Sequence, residues 1–91
     1  MRIRWTLPAA EDLESIRRYL ELNHPQYAES TGRTIYRRVK ALKTHPHRGR
    51  PGHKMGTREL TLAPLPFVVV YTVDGDALQI VHIYHGAQDW Q

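Results

Sequence analysis

A chain of 91 residues, 41% hydrophobic and 24% charged, has the composition of an ordinary globular protein, and its length allows one domain over 1–91 with a modest core. The absence of cysteine excludes disulfides, a thiolate nucleophile and a cysteine zinc site, and it suits a reducing cytoplasm. Thirteen Lys and Arg against nine Asp and Glu give a net charge of +4, which points to an anionic partner without naming one.

Residues 2–6 alternate polar and apolar side chains, the pattern of a short half-buried strand, and they lack the apolar stretch of a signal peptide. Thr6 is placed to cap a helix, and Pro8 is tolerated in its first turn. Ala9, Leu13, Ile16 and Leu20 then recur on one helical face, with Glu11, Asp12 and Glu14 near the positive end of the helix dipole. Asn23, His24 and Pro25 break this helix. A second helix is predicted over 26–44, with Ala28, Ile35, Val39 and Leu42 inward; Gly32 in its middle suggests close approach of the first helix. The short break implies an antiparallel helical hairpin.

Residues 45–56 carry Pro46, Gly49, Pro51, Gly52 and Gly56, and read as a loop. Residues 58–62 alternate, with Leu60 and Leu62 on one face. Residues 67–73 are apolar on both faces, the mark of a strand interior to its sheet. Asp74-Gly75-Asp76 is a hairpin turn. The last strand covers 77–84, with Leu78 and Ile80 on one face, Val81 and Ile83 on the other, and His82 with Ile80 and Tyr84. The expected fold is α+β: a small antiparallel sheet with a two-helix hairpin on one face, in the order β-α-α-β-β-β. No apolar run of about 18 residues is present, so no membrane helix is expected.

Charge is unevenly spread. Residues 30–58 contain nine of the thirteen cations and no acid, so they carry +9 while the remainder sums to −5. This block reads either as a solvated face or as a surface for an anionic partner. Arg37, Arg48, Arg50, Lys54 and Arg58 are its binding candidates, for nucleic acid or for an acidic protein. Fixed cations of this kind stabilise charge developing on a scissile phosphate. His85, at the end of the last strand, is placed to act as a general acid or base. His82 reads as a partly buried structural histidine and Trp90 as a packing anchor. His45 and His47 lack a nearby carboxylate, so no metal is expected, and no nucleotide or cofactor motif is present.

Three stretches together resemble a known family: Gly49-Arg50-Pro51-Gly52 with Gly56-Thr57-Arg58-Glu59-Leu60; Phe67-Val68-Val69-Val70-Tyr71; and Val81-His82-Ile83-Tyr84-His85-Gly86 running on to Trp90. With Ala10, Asp12, Leu13, Ile16 and Tyr19 upstream, they are similar to the RelE/ParE superfamily of bacterial toxins over nearly the whole chain. The resemblance implies the toxin of a type II toxin–antitoxin pair, neutralised by a cognate antitoxin whose acidic segment suits the basic block. It implies one of two targets. ParE-like members inhibit DNA gyrase; RelE-like members cut mRNA on the ribosome. For the second activity the resemblance supplies Arg58, Lys54, Tyr84 and His85 as catalytic candidates. The basic residues of the RelE pattern fall here on valine in the 67–71 strand and near Glu59, Thr61 and Ala63 before it, so the chain is nearer the ParE side. A non-toxic nucleic-acid-binding module is a further reading of the basic block.

Overall fold

In the computed structural model, which describes residues 1–86, strand β1 (Arg2–Trp5) leads into helices α1 (Leu7–Asn23) and α2 (Pro25–Lys40). A 3-10 turn at Ala41–Lys43 follows, then β2 (Arg50–Pro51), β3 (Arg58–Thr61), β4 (Phe67–Asp74) and β5 (Ala77–His85). The fold is α+β, as expected. The sheet order is β1-β5-β4-β3-β2. Strands β3, β4 and β5 form the expected antiparallel meander, but β1 runs parallel to β5, so the sheet is mixed. The reason is edge availability. Both edges of β4 are taken by its sequence neighbours, and β5 offers the long free edge that β1 fills. No helix among the described residues is long and apolar enough to cross a membrane.

Thr6 caps α1 by accepting the Ala9 amide at 3.2 Å, and Pro8 sits in the first turn. At the break, the His24 amide donates to the Leu20 carbonyl at 2.7 Å, and Pro25 opens α2. Helix α2 ends at Lys40 rather than at residue 44, and Leu42 reaches the core from the 3-10 turn. Ile35, Val39 and Leu42 pack on Val69, Tyr71 and Ile80 of the sheet. Gly32 does not mark a close helix approach: a Cβ there would meet nothing within 4 Å.

A one-residue bulge in β5 sets its side-chain directions. Val70 faces His82 and Tyr71 faces Ile80, so Val81 is the additional residue. The bulge overturns simple alternation. Ile83 joins Leu78 and Ile80 in the core, and His82 shares the opposite face with Tyr84 rather than with Ile80. Two side chains of the α1 segment hold the bulge. The Thr6 hydroxyl lies 2.8 Å from the Ile80 carbonyl and 3.1 Å from that of Val81. One Asp12 carboxylate oxygen accepts the Ile83 amide at 2.9 Å and faces His82 Nδ1 at 3.0 Å. His82 is thus a half-buried structural histidine.

The segment between α2 and β3 is more ordered than its Pro and Gly content predicts. Arg50–Pro51 forms a two-residue edge strand on β3, a place where proline is tolerated. Fully buried Tyr71 reaches out of β4 to this segment. Its hydroxyl donates to the Pro46 carbonyl at 2.8 Å and accepts the Gly49 amide at 2.9 Å. Gly49 must lack a side chain, because a Cβ would stand 2.7 Å from that hydroxyl. Tyr71→Phe would leave the Gly49 amide and the Pro46 carbonyl short of a partner. We expect a loss of about 1–3 kcal/mol in denaturant unfolding, the cost of unsatisfied buried polar groups, with faster amide exchange at Gly49.

Candidate functional site

Two surfaces carry polar chemistry. The first is the sheet face away from the helices. Leu60 points to the core, so alternation along β3 turns Glu59 to this other face, where its side chain is 1% exposed. Four donor groups converge on it. The His53 amide and His53 Nδ1 lie 3.2 and 3.1 Å from one carboxylate oxygen. Arg50 Nη2 and the Tyr84 hydroxyl lie 3.4 and 3.2 Å from the other. Burial pushes the Glu59 carboxyl up, but the hydrogen bonds from His53, Arg50 and Tyr84 outweigh it and hold the group below its ordinary value. Strand alternation already sets Glu59 on the face opposite Arg58, but Glu59 is not among the candidate site residues read from the sequence. What the sequence does not show is its burial, which depends on Arg50, His53 and Tyr84 being brought to it by the folded sheet.

The catalytic candidates are not brought together. Arg58 lies on the helix-side face, and its guanidinium donates to the Gly49 and His47 carbonyls at 2.6 and 3.3 Å. Lys54 is exposed in the turn closed by the Thr57 amide and hydroxyl on the Lys54 carbonyl. Tyr84 lies on the opposite face with Glu59. His85 returns to the helix side at the end of β5, its ring edge-on to Phe67 with centroids 5.9 Å apart. Arg58 is level with Tyr71 and His85 with Phe67. They are therefore two strands apart and roughly 13 Å apart along the strand direction, at about 3.3 Å per residue. The Arg58 guanidinium is turned to the Gly49 and His47 carbonyls, and no contact with His85 among the described residues brings the two around one point.

The binding candidates spread over α2 and the following segment. Arg37 and Arg48 are exposed, with no side-chain hydrogen bond or ion pair among the described residues. Arg50 faces Glu59 and stays 61% exposed. Arg38 instead donates to the Thr61 and Ala63 carbonyls and holds the β3–β4 turn. Trp90 falls outside the described residues.

The second surface is a groove of about 900 Å³ between the helical hairpin and the end of the sheet. Ile16, Tyr19, Leu20, Tyr27, Phe67 and His85 are among its walls, and Asp12 stands at its edge. Tyr19 and Tyr27 remain 59% and 57% exposed. Large apolar groups held open to solvent on a concave surface mark an interaction or ligand-binding site.

Because the Glu59 carboxyl is held below its ordinary value of 4.5, its contribution to stability is complete above that value. It is lost as the pH falls through the lowered folded-state value. Wild-type protein and Glu59→Gln should therefore differ by about 1.5–3 kcal/mol near pH 7, the range for hydrogen bonds to a charged group. The difference should shrink in acid. Urea unfolding of both proteins as a function of pH measures it.

Comparison with known proteins agrees with this architecture. The family model described as "ParE toxin of type II toxin-antitoxin system, parDE" matches residues 3–90. A protein of Sinorhizobium fredii named "Putative toxin Y4kP" is 39% identical over 98% of this chain and 92% of its own length. "Toxin RelE2" of Caulobacter vibrioides is 33% identical over 92% of this chain and 93% of its own. A solved chain of the chromosomal ParDE toxin–antitoxin system from P. aeruginosa superposes with a TM-score of 0.85 at 33% identity, covering 93% of this chain and 95% of that one. The YoeB dimer structure from Staphylococcus aureus shares the fold alone, with a TM-score of 0.60 at 18% identity. A helical hairpin on a mixed five-stranded sheet, with sequence and structural matches across nearly its whole length, places this chain in the ParE toxin family of type II toxin–antitoxin systems.

Proposed function

We propose that this toxin acts by binding a protein target, DNA gyrase, and that its cognate antitoxin neutralises it by covering the apolar groove and the neighbouring basic surface. The observation that carries the reading is the separation of Arg58 from His85. A ribonuclease of the RelE kind needs cations and an acid–base group around one phosphate. Here Arg58 is committed to two loop carbonyls, and Tyr84 and His85 face opposite sides of the sheet. The open groove, with Tyr19 and Tyr27 at its rim, suits a protein partner better than a phosphate backbone. Family membership supports both the antitoxin and the toxic role. Arg37, Arg48, Arg50 and Lys54 then serve electrostatic complementarity and steering of an acidic segment.

Purified toxin should inhibit gyrase supercoiling at micromolar concentration, and the antitoxin should relieve that inhibition. It should leave ribosome-bound mRNA intact. Ribosome-dependent cleavage that disappears in Arg58→Ala and His85→Ala, without any effect on supercoiling, would replace this reading with the ribonuclease one.

A further inference from the structure

The exposed charges of the two helices are balanced differently. On α1, Arg17 and Arg18 are paired with Glu14, and Arg17 also with Glu21, so this helix neutralises much of its own surface. On α2 the pairing stops early. Arg33 is paired with Glu29 at 2.5 Å, and Arg38 is turned to the Thr61 and Ala63 carbonyls. Arg37 and Lys40, with Lys43 in the 3-10 turn, are exposed and have no ion pair or side-chain hydrogen bond among the described residues. Residues 30–58 contain no acid that could pair with them.

Tyr36, Lys40 and Lys43 are spaced by four and three residues, so they follow one line along α2 and its 3-10 extension. All three border a pocket of about 230 Å³ against Ile3 and Trp5. Arg37 stands one turn before Lys40, while Val39 and Leu42 turn into the core. From Arg37 to Lys43 the axis advances about 10 Å, by the rise of α and 3-10 helix. A DNA strand passes about three phosphates over that length, at about 3.4 Å each. The three cations thus match a run of phosphates in number and in span.

The make-up of this patch favours a phosphate backbone over a protein. Centres of protein interfaces are built on apolar anchors and are depleted in lysine. Here lysines are central, and Tyr36 beside them is 59% exposed, with a hydroxyl that can donate to a phosphate oxygen. We propose that Tyr36, Arg37, Lys40 and Lys43 hold the phosphate backbone of duplex DNA when the free toxin is on its target. The proposal rests on the reading of gyrase as that target, because an inhibitor seated on an enzyme that handles duplex DNA lies beside a phosphate backbone. It adds a nucleic-acid contact, on a surface whose residues are distinct from those of the apolar groove. Contacts of this kind position a protein on DNA without reading its sequence. Arg37 also belongs to the surface that steers the antitoxin, so the contact is made by toxin that has lost its antitoxin.

The probe is a short DNA duplex of mixed sequence, titrated with full-length toxin and followed by fluorescence anisotropy. Three neutralised phosphates give a slope of log affinity on log salt of about −2.7, so affinity should fall about fortyfold between about 50 and 200 mM salt. Arg37→Gln, Lys40→Gln and Lys43→Gln together should remove most of that slope and weaken binding about tenfold at the lower salt. The same triple variant should unfold at the wild-type denaturant midpoint and need about fivefold more protein to inhibit gyrase supercoiling. Wild-type toxin that shows no salt-dependent duplex binding, or a triple variant that binds the duplex as well as wild type, overturns the DNA contact; inhibition of supercoiling by the same wild-type preparation then leaves the gyrase reading standing. Duplex binding without inhibition of supercoiling overturns the gyrase reading and the proposal with it. Tighter binding to single-stranded RNA of the same length, lost in the triple variant, overturns the proposal in favour of RNA.

Discussion

Val81 is one residue more than β4 can pair, and much of the molecule's surface follows from where β5 puts it. Before the bulge, Leu78 and Ile80 face the helices; after it, Ile83 does. Without the additional residue, Ile83 would turn to the far face and the core would lose a buried aliphatic. The bulge leaves backbone groups beyond the end of β1, where no strand can satisfy them. Thr6 and Asp12 do so instead. The cap of α1 and the register of β5 are therefore one construction. The same hydroxyl that starts the helix also lies against the bulge carbonyls.

The bulge also decides which chemistry each face carries. It sends Tyr84 to the face where Glu59 is buried and His85 to the face where the groove opens. Glu59 then gathers Arg50, His53 and Tyr84, so part of the basic segment is bound to the sheet from below. Tyr71 and Arg58 bind the same segment from the helix side, through Pro46, His47 and Gly49. Six polar side chains from β3, β4 and β5 and from the segment itself thus fix a stretch that its glycines and prolines would otherwise leave loose. Two of the candidate residues, Arg58 and Tyr84, take part in this internal order, and Arg37 and Arg48 are exposed to solvent.

Much of this was legible in the sequence. Periodicity located both helices and four of the five strands, and the unbroken apolar run of β4 placed it correctly inside the sheet. The hairpin turn at Gly75, whose φ is +61°, followed from its Asp-Gly-Asp signature. The misses have physical causes. A bulge adds a residue without changing local composition, so alternation alone put Ile83 on the wrong face and His82 beside Ile80. Strand β2 is too short to have a period and is made by pairing with β3. The parallel β1–β5 pairing depends on which edge is free, which is a property of the assembled sheet. Gly32 occupies open space, and nothing in the structure explains why a glycine stands there. The basic block is visible in the sequence, but only the fold sorts its members. Arg38 and Arg58 bind carbonyls within the molecule, whereas Arg37 and Arg48 face solvent.

Placing a toxin of this family on gyrase rather than on mRNA makes the order of cellular failure the direct test. After induction of the toxin without its antitoxin, incorporation of labelled thymidine and labelled methionine can be followed in the same culture. If gyrase is the target, thymidine incorporation falls first and protein synthesis follows. An immediate fall in methionine incorporation while DNA synthesis continues would contradict it.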